Sequence, residues 1–314
     1  MNLATNFSLW AKTGNISLPG TGPVPFWGFA GSAAGPAQLP GPHMEVPQND
    51  NVQVILTNDL GFPVSVMFPG QEFTPQPARD SGGLFVSYNS ETAPGGAFSY
   101  NLTPGRPGIF LYESGTSPEK QVQMGLYGVM VVRPAGFDPG NPATWTAYGP
   151  GTGTEYDVEK ILVTGEIDTN LHQELAAGSP AAEFNPGHFI INGRSYPDTT
   201  DPDSGGGQPY GSRVSVTSGQ RVLLRIINAG FINHNIRFLG ITPRVMAGDS
   251  WPLLSAGLDK SYEKNTITIG SGQSYDLLFT APAAGQYMLY DRNLNCSVND
   301  NTFPGGMMTV IEVV

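Results

Sequence analysis

The chain has 314 residues, of which 39% are hydrophobic and only 13% are charged, with 41 glycines and 28 prolines. This length predicts two domains with a core each, and many turn residues between regular apolar runs favour an all-β chain over a disordered one. The net charge of −11 and the pI near 4.7 disfavour nucleic acid and anionic membrane surfaces as partners, because both repel an acidic protein. A cationic partner or a metal ion is easier to justify.

A single cysteine, Cys296, excludes a disulfide bond within the chain. No apolar run is long enough for a membrane-spanning helix, and none has the form of a signal peptide, so we expect no membrane insertion. The few charges and the abundant Asn, Thr and Gly residues nevertheless favour an exported protein, extracellular or in the cell envelope. Its signal peptide is then absent from this sequence.

The first third of the chain alternates apolar and polar residues in short runs. Residues 7–12 predict an amphipathic strand, and residues 31–42 form a loop rich in Gly, Ala and Pro. Residues 44–58 and 63–70 predict two further strands, because their apolar side chains recur at every second position. This part of the chain is therefore predicted to be β-structure.

Residues 98–134 carry the most informative pattern of the chain. An apolar run at 109–112 leads into a polar turn at 113–115, and a second apolar run follows at 126–132. The order predicts strand, loop and strand.

The second half begins after a stretch rich in Gly, Pro, Thr and Asn. Residues 136–155 predict a linker between a first domain, 1–135, and a second domain, 156–314. About seven strands are predicted in the second domain, which is the number that a β-sandwich needs. Residues 171–177 predict one or two helical turns, and helix signals are otherwise almost absent.

Several short motifs, taken in order, are similar to those of one known family. They are Pro-Gly-Pro at 40–42, Gly-Leu-Tyr-Gly at 125–128, Ile-Asn-Gly-Arg at 191–194, Leu-Arg-Ile-Ile-Asn at 224–228 and Gly-Gly-Met at 305–307. Together they resemble the cupredoxin domains of multicopper oxidases over roughly residues 39–314. The resemblance implies an all-β fold of two cupredoxin-like Greek-key β-sandwich domains.

The resemblance also marks the positions where the family carries copper ligands in its first domain. Glu113 and Gly115 stand where the family has the histidines of Tyr-His-Ser-His. Met67 and Pro69 stand where it has those of His-x-His-Gly. The apolar pattern of the strands is kept at these positions, although other residues replace the histidines. This predicts that these copper sites are lost.

The second domain keeps one histidine of the family pattern. His234 falls on the first, blue-copper histidine of His-x-x-His-x-His-Gly, whereas Arg237 and Leu239 replace the other two. The family's His-Cys-His motif would align at 291–293 and is missing. The whole chain has four histidines, His43, His172, His188 and His234, which are too few for a blue copper site and an oxygen-reducing trinuclear centre together.

A blue copper site combines two imidazoles, a thiolate and a weak axial methionine. The nearest set that this sequence offers is His234, Cys296 and Met307, which we consider as a candidate metal site. It is one imidazole short, and the alternative is an inert buried cysteine beside a hydrogen-bonding surface histidine.

Two other groups of side chains could hold a metal ion. Carboxylates suitable for a hard cation such as Ca²⁺ are Glu113 with Asp80, Glu91 or Glu119. A local cluster of metal-capable side chains is His172 with Glu166, Asp168 and Glu174. In both cases solvated polar loops are the simpler interpretation.

These patterns favour an exported multicopper-oxidase-like protein that serves structure, assembly or binding at the cell surface or outside the cell and is not an enzyme. We expect no cofactor, with copper the one metal left open. One alternative is a copper-dependent oxidase of phenols or metal ions that completes its site with another chain or a missing domain; the other is a single-site copper binder.

Assembly is predicted to use strand edges. A homo-oligomer or filament would form if the N-terminal strand, around residues 7–11, paired with an edge strand of a neighbouring copy.

Overall fold

The computed structural model describes residues 5–179, 183–204, 208–255 and 257–314, and almost all of their regular structure is β-strand. The strands of the first half are β1 (Thr5–Ile16), β2 (Val24–Ala30), β3 (Met44–Pro47), β4 (Val52–Asn58), β5 (Ala78–Arg79), β6 (Phe85–Ser87), β7 (Ala97–Leu102), β8 (Gly108–Glu113) and β9 (Tyr127–Arg133).

The second half contributes more strands, several of them very short. They are β10 (Val158–Ile167), β11 (His188–Ile191), β12 (Val214–Val216), β13 (Arg221–Asn228), β14 (His234–Phe238), β15 (Arg244–Gly248), β16 (Trp251–Pro252), β17 (Leu254–Ser255), β18 (Leu258–Asp259), β19 (Tyr262–Glu263), β20 (Thr266–Ile269), β21 (Ser274–Thr280), β22 (Gly285–Asp291) and β23 (Met308–Val313).

Helical structure is confined to short pieces. The α-helices are α1 (Pro118–Gln121) and α2 (Thr169–Ala176), and single 3₁₀ turns lie at Pro142–Thr144, Asp198–Thr200 and Leu294–Cys296. Helix α2 begins at the predicted place because the Asp168 carboxylate accepts the backbone N–H groups of Asn170 and Leu171. None of the helices in the described residues is long and apolar enough to cross a membrane.

The first half forms a sandwich of two sheets. One sheet has the order β2-β1-β4-β7 and the other the order β3-β9-β8. Alternate side chains of β4, namely Val52, Val54 and Leu56, point into a shared apolar core and are at most 2% exposed. The alternation seen in the sequence therefore marks the inner face of this sheet, as predicted.

The second half forms a larger sandwich. One sheet has the order β11-β10-β13-β21-β15-β16, and β19 also pairs with β15. The other sheet has the order β12-β23-β22-β14-β20. Inward side chains of β13 and β14, among them Leu224 and Ile236, pack in the core between them. The predicted all-β fold of two β-sandwich domains is confirmed.

Strand β1 lies inside its sheet rather than at an edge. It pairs with β4 on one side over residues 5–11 and with β2 on the other side over residues 10–16. Within the described residues, the edges of this sheet are β2 and β7. Assembly through strand edges stays a prediction, and within the described residues the pairing with β2 begins only at Trp10, so residues 5–9 have a strand partner on the β4 side alone.

A third apolar cluster joins the two sandwiches. It combines Phe26, Leu39 and Tyr127 of the first half with side chains of the second half such as Val163 and Ile190, all of them buried. The two halves are therefore packed on one another through a common core.

Two family motifs meet at this junction. Gly193 has a φ of +75°, and a Cβ added there would lie 2.0 Å from the carbonyl oxygen of Leu39. Nearby, the backbone N–H of Leu39 donates to the Gln208 side chain at 2.8 Å, and the His43 ring stacks on Tyr210 with centroids 3.6 Å apart. Only glycine fits this conformation and this close approach together.

A chain of charged side chains, buried except for Glu45, links strands of the two halves. Arg133 at the end of β9 contacts Glu45 and Glu159, with its closest approach of 2.7 Å to Glu159 on β10. Arg225 on β13 then contacts Glu159 and Asp276, each at 2.6 Å. Ion pairs thus link strands of both sandwiches.

Candidate metal centre

The ligand positions of the first half do come together in space. Met67 and Glu113 form a cross-strand pair, in which the Met67 N–H donates to the Glu113 carbonyl at 2.8 Å and the reverse bond is 3.1 Å. A Cβ added at Gly115 would lie 3.5 Å from the Met67 sulfur. Three of the four positions inferred from the resemblance are therefore neighbours, and they hold a thioether, a carboxyl group and no side chain.

Hydroxyl groups fill the space behind these positions. Ser65, Ser87 and Thr116 are buried, and their side-chain oxygens lie 2.9 to 3.1 Å from one another. Ser65 also accepts the backbone N–H of Gly115 at 3.1 Å. Because these polar atoms satisfy each other, they are a structural network rather than a vacant set of ligands.

Glu113 is the one ionisable side chain among the four family ligand positions of the first half. Burial raises the pKa of its carboxyl group from 4.5 to about 7. The structure shows no hydrogen bond or ion pair for this carboxyl group within the described residues. The four family ligand positions of the first half thus offer neither an imidazole nor a thiolate for copper.

His234 occupies a different environment, deep in the second sandwich. Its Nδ1 atom lies 2.8 Å from an oxygen of Asp291, and its Nε2 atom lies 3.4 Å from an oxygen of Glu166. The three side chains come from β14, β22 and β10, and hence from both sheets of the sandwich. The imidazole is held between two carboxylates away from water.

Backbone groups fix Glu166 in place. One of its oxygens accepts the N–H groups of Phe231 and Ile232. A Cβ added at Gly230 would lie 2.1 Å from its other oxygen, so this turn requires a glycine.

The protonation of His234 follows from these contacts. Burial alone would lower the pKa of His234. Hydrogen bonds with Asp291, Cys296 and Glu166 outweigh this effect and raise the pKa of the imidazole to about 11. Burial raises the pKa of the Cys296 thiol, against the opposing effect of the His234 hydrogen bond.

One group of potential metal ligands emerges within the described residues. Ligand atoms of His234, Asp291 and Cys296 all lie within 4.8 Å of one another, and the three residues are buried. Met307 is fully buried beside them, since its N–H donates to the Cys296 carbonyl at 2.8 Å and its carbonyl accepts the Asp291 N–H at 3.0 Å. The three residues of the predicted metal site therefore occupy one region, and binding of a metal there stays a prediction.

Sequence reasoning did not include Asp291 and Glu166 in this site. A signal for Asp291 was present, because residues 291–293 align with the family's His-Cys-His motif. Glu166 gave no comparable signal, since its approach to His234 depends on the packing of two sheets.

The other predicted clusters do not assemble. His172 is buried on α2, with its ring nitrogens 2.8 Å from the Pro25 carbonyl oxygen and 3.1 Å from that of Gln123. Asp80 accepts the backbone N–H groups of Gly82 and Leu84 in a turn. Within the described part of the chain, neither belongs to a group of three potential metal ligands.

The two sandwiches and their paired ligand positions define a protein of the cupredoxin class. Family models described as multicopper oxidase match residues 13–136 and 166–313. The chain belongs to the multicopper oxidase-like family.

Curated relatives agree with this assignment. Laccase-13 of Arabidopsis thaliana is 26% identical over 266 residues, which are 80% of this chain and 41% of the laccase. Multicopper oxidase MmcO of Mycobacterium tuberculosis is 26% identical over 272 residues, covering 80% of this chain and 48% of the relative. The chain spans about half the length of these relatives or less.

Solved structures support the fold. The blue copper oxidase from Nitrosomonas europaea has a TM-score of 0.76 at 23% identity, covering 99% of this chain and 86% of that one. A copper nitrite reductase from the same organism has a TM-score of 0.72 at 20% identity, covering 99% and 94%.

The prediction that no cofactor is bound is wrong, because both halves match family models described as multicopper oxidase, which point to copper. The residues present do not fit the full copper set of the family, since its first-half positions carry Met67, Pro69, Glu113 and Gly115. Among the described residues, potential donors for a single ion are the imidazole, the thiol and the carboxylate of the buried group in the second sandwich.

Proposed function

We propose that the protein binds one copper ion and acts by binding rather than by reducing dioxygen. The supporting observation is the convergence of His234, Asp291 and Cys296 within 4.8 Å at the family's blue-copper position. The first-half positions, where the family has further ligands, hold no imidazole or thiol.

The donor set is suited to copper. Imidazole and thiolate are ligands that copper favours, and a carboxylate supplies the third donor. Bound there, the ion would supply one-electron redox chemistry in a dry environment. The chain's own contribution is orientation, because Glu166 lies 3.4 Å from Nε2 and would hold the His234 ring by that nitrogen, which leaves Nδ1, on the side of Asp291, for the ion.

Binding at this place requires the release of protons. A metal ligand must be deprotonated, so the His234 imidazolium and the Cys296 thiol would each release a proton to solvent when an ion binds. The Asp291 carboxylate, which now faces the imidazolium, would then face the metal ion.

Two of the three remaining histidines have contacts of their own away from the buried group. His172 contacts two backbone carbonyls and His43 stacks on Tyr210, so neither is directed at the buried group. Because the chain carries few charges, we propose that the protein lies in the extracellular space or the cell envelope, where it would serve binding, structure or assembly.

An oxidoreductase whose site is completed by another chain or a further domain is the second candidate. It is favoured by one observation, that the chain spans only 41% of the laccase it matches. Ligands outside this chain would then add to those of the second sandwich.

Copper loading tests the proposal. The purified protein is incubated with Cu²⁺, freed of excess metal, and analysed for metal content and for the intense thiolate-to-copper absorption. We expect one copper per chain, and loss of the absorption in Cys296→Ser but not in the control His43→Gln. A protein that retains no copper contradicts the proposal, whereas oxygen uptake with a phenol or Fe²⁺ would favour the second candidate.

A further inference from the structure

The hairpin of β5 and β6 exposes a group of large apolar side chains on the first sandwich. Leu84, Phe85, Val86 and Tyr88 are 70%, 57%, 39% and 56% exposed. We refer to these four residues as the apolar hairpin. Contiguous exposed apolar side chains are characteristic of interaction sites, because water contact with them is unfavourable.

The tip of the hairpin is held in a defined conformation. The Arg79 guanidinium lies 3.5 Å above the centre of the Phe85 ring. The Asp80 carboxylate accepts the N–H groups of Gly82 and Leu84, each at 2.9 Å. A surface that is already ordered loses little conformational entropy when a partner docks.

The base of the hairpin rests on the loop that follows Glu113. The Tyr88 N–H donates to the Gly115 carbonyl at 2.9 Å, and Ser87 forms a β-bridge with Thr116. Since Met67 pairs with Glu113, the apolar hairpin, the thioether and the carboxyl group are contiguous.

Glu113 gives this surface its chemical preference. Its carboxyl group is half-buried, and the structure shows no hydrogen bond or ion pair for it within the described residues. A carboxylate shielded from water without a partner is costly, and a cation brought by a docking molecule would relieve that cost. The net charge of −11 acts in the same direction, by attracting basic segments and repelling acidic ones.

We infer that the face formed by the apolar hairpin, Met67 and Glu113 docks a segment of a partner protein that presents a lysine or arginine among apolar side chains. The basic group pairs with Glu113 and the apolar side chains cover the hairpin. This inference goes beyond the proposed copper binding and uses none of the ligands of the second sandwich.

Three fluorescent peptides, each about a dozen residues long, test this inference by fluorescence anisotropy. They share alternating leucine and serine residues and differ at two central positions, which are arginine, glutamine or glutamate. At about 0.15 M salt, we expect the arginine peptide to bind at least about 10-fold more tightly than the glutamine peptide, and the glutamate peptide not to bind.

Two variants separate the contributions of the surface. Glu113→Gln should abolish the preference for arginine over glutamine, while binding of the glutamine peptide is kept. The double variant Leu84→Ser and Phe85→Ser should weaken all binding by at least about 10-fold. The control Leu258→Ser changes an exposed apolar residue in the second half and should bind like the parent, and circular dichroism checks that each variant is folded.

Several results would overturn the inference. No binding of any peptide at about 1 mM would do so, as would an unchanged arginine preference in Glu113→Gln. Sedimentation velocity of the protein without peptide measures whether the protein self-associates. Self-association that is lost in the double variant would assign the surface to a second copy instead of a basic partner.

Discussion

The imidazole Nδ1 atom of His234 lies 2.8 Å from a carboxylate oxygen of Asp291, and neither side chain is exposed to water. Removing one member of a buried ion pair leaves the other charge without compensation. We expect Asp291→Asn to lower the free energy of unfolding of the metal-free protein by about 3 to 5 kcal/mol, measured by urea denaturation.

Asp59→Asn serves as the comparison for this variant. Asp59 is 47% exposed and lies 4.0 Å from Lys12, so its loss should change stability by less than about 1 kcal/mol. Equal effects of the two substitutions would show that the Asp291 contact is not a buried ion pair in solution.

Arg225 provides a second test of buried charge. Its side chain is fully buried between Glu159 and Asp276, whereas Arg221 on the same strand is 46% exposed in its ion pair with Asp157. Arg225→Met should destabilise the protein by about 3 to 5 kcal/mol, and Arg221→Met by about 1 kcal/mol or less. Thermal and urea unfolding of both variants measure this difference, and a small effect at Arg225 would contradict it.

Alanine substitutions at Gly193 and Gly219 distinguish the stability cost of backbone strain from that of close packing. Both have positive φ, +75° and +88°, but a Cβ at Gly219 meets nothing within 4 Å, whereas one at Gly193 meets the Leu39 carbonyl. Gly219→Ala should cost about 1 to 2 kcal/mol through strain alone. Gly193→Ala should cost at least about 3 kcal/mol, because overpacking adds to the strain.

Chemical denaturation of the two alanine variants checks this expectation. If both lost the same stability, the junction between the sandwiches would be looser than the structure shows.

Glu113 should make stability depend on pH. Burial raises the pKa of its carboxyl group from 4.5 to about 7, so the folded state holds this proton more tightly than the unfolded state. The resulting stabilisation is complete below about pH 4.5 and is lost as the pH rises through about 7.

Glu113→Gln removes this dependence. At about pH 8 the variant should be more stable than the parent by roughly 1 to 3 kcal/mol, and at about pH 4 the two should be alike. Urea denaturation at both pH values measures the difference. If the difference in stability between the parent and the variant were the same at both pH values, Glu113 would be well hydrated in the folded protein.

Much of the fold could be predicted from local patterns. Alternation of apolar side chains in residues 52–56 marks one face of a strand, and that face is buried. The position of β1 between β2 and β4 could not be predicted in this way. Its pairing with β4 joins residues far apart in the chain, and an amphipathic strand looks the same at an edge as in the interior.

The candidate metal centre could likewise be predicted only in part from the sequence. The resemblance predicted that the positions of Met67 and Glu113 lie together, and the structure joins them in a β-bridge. Metal binding at His234 stays a prediction. The Glu166 contact with His234 arises where two sheets pack together, and no spacing in the sequence records that distance.

The apolar cluster shared by the two sandwiches has a consequence for inheritance. Side chains such as Leu39 and Tyr127 would be left facing water if the second half were replaced by an unrelated one. A recombination event within residues 136–155 would therefore yield a soluble product only when both parents carried matching junction residues. We therefore expect the two sandwiches to be inherited together, although each has sheets of its own.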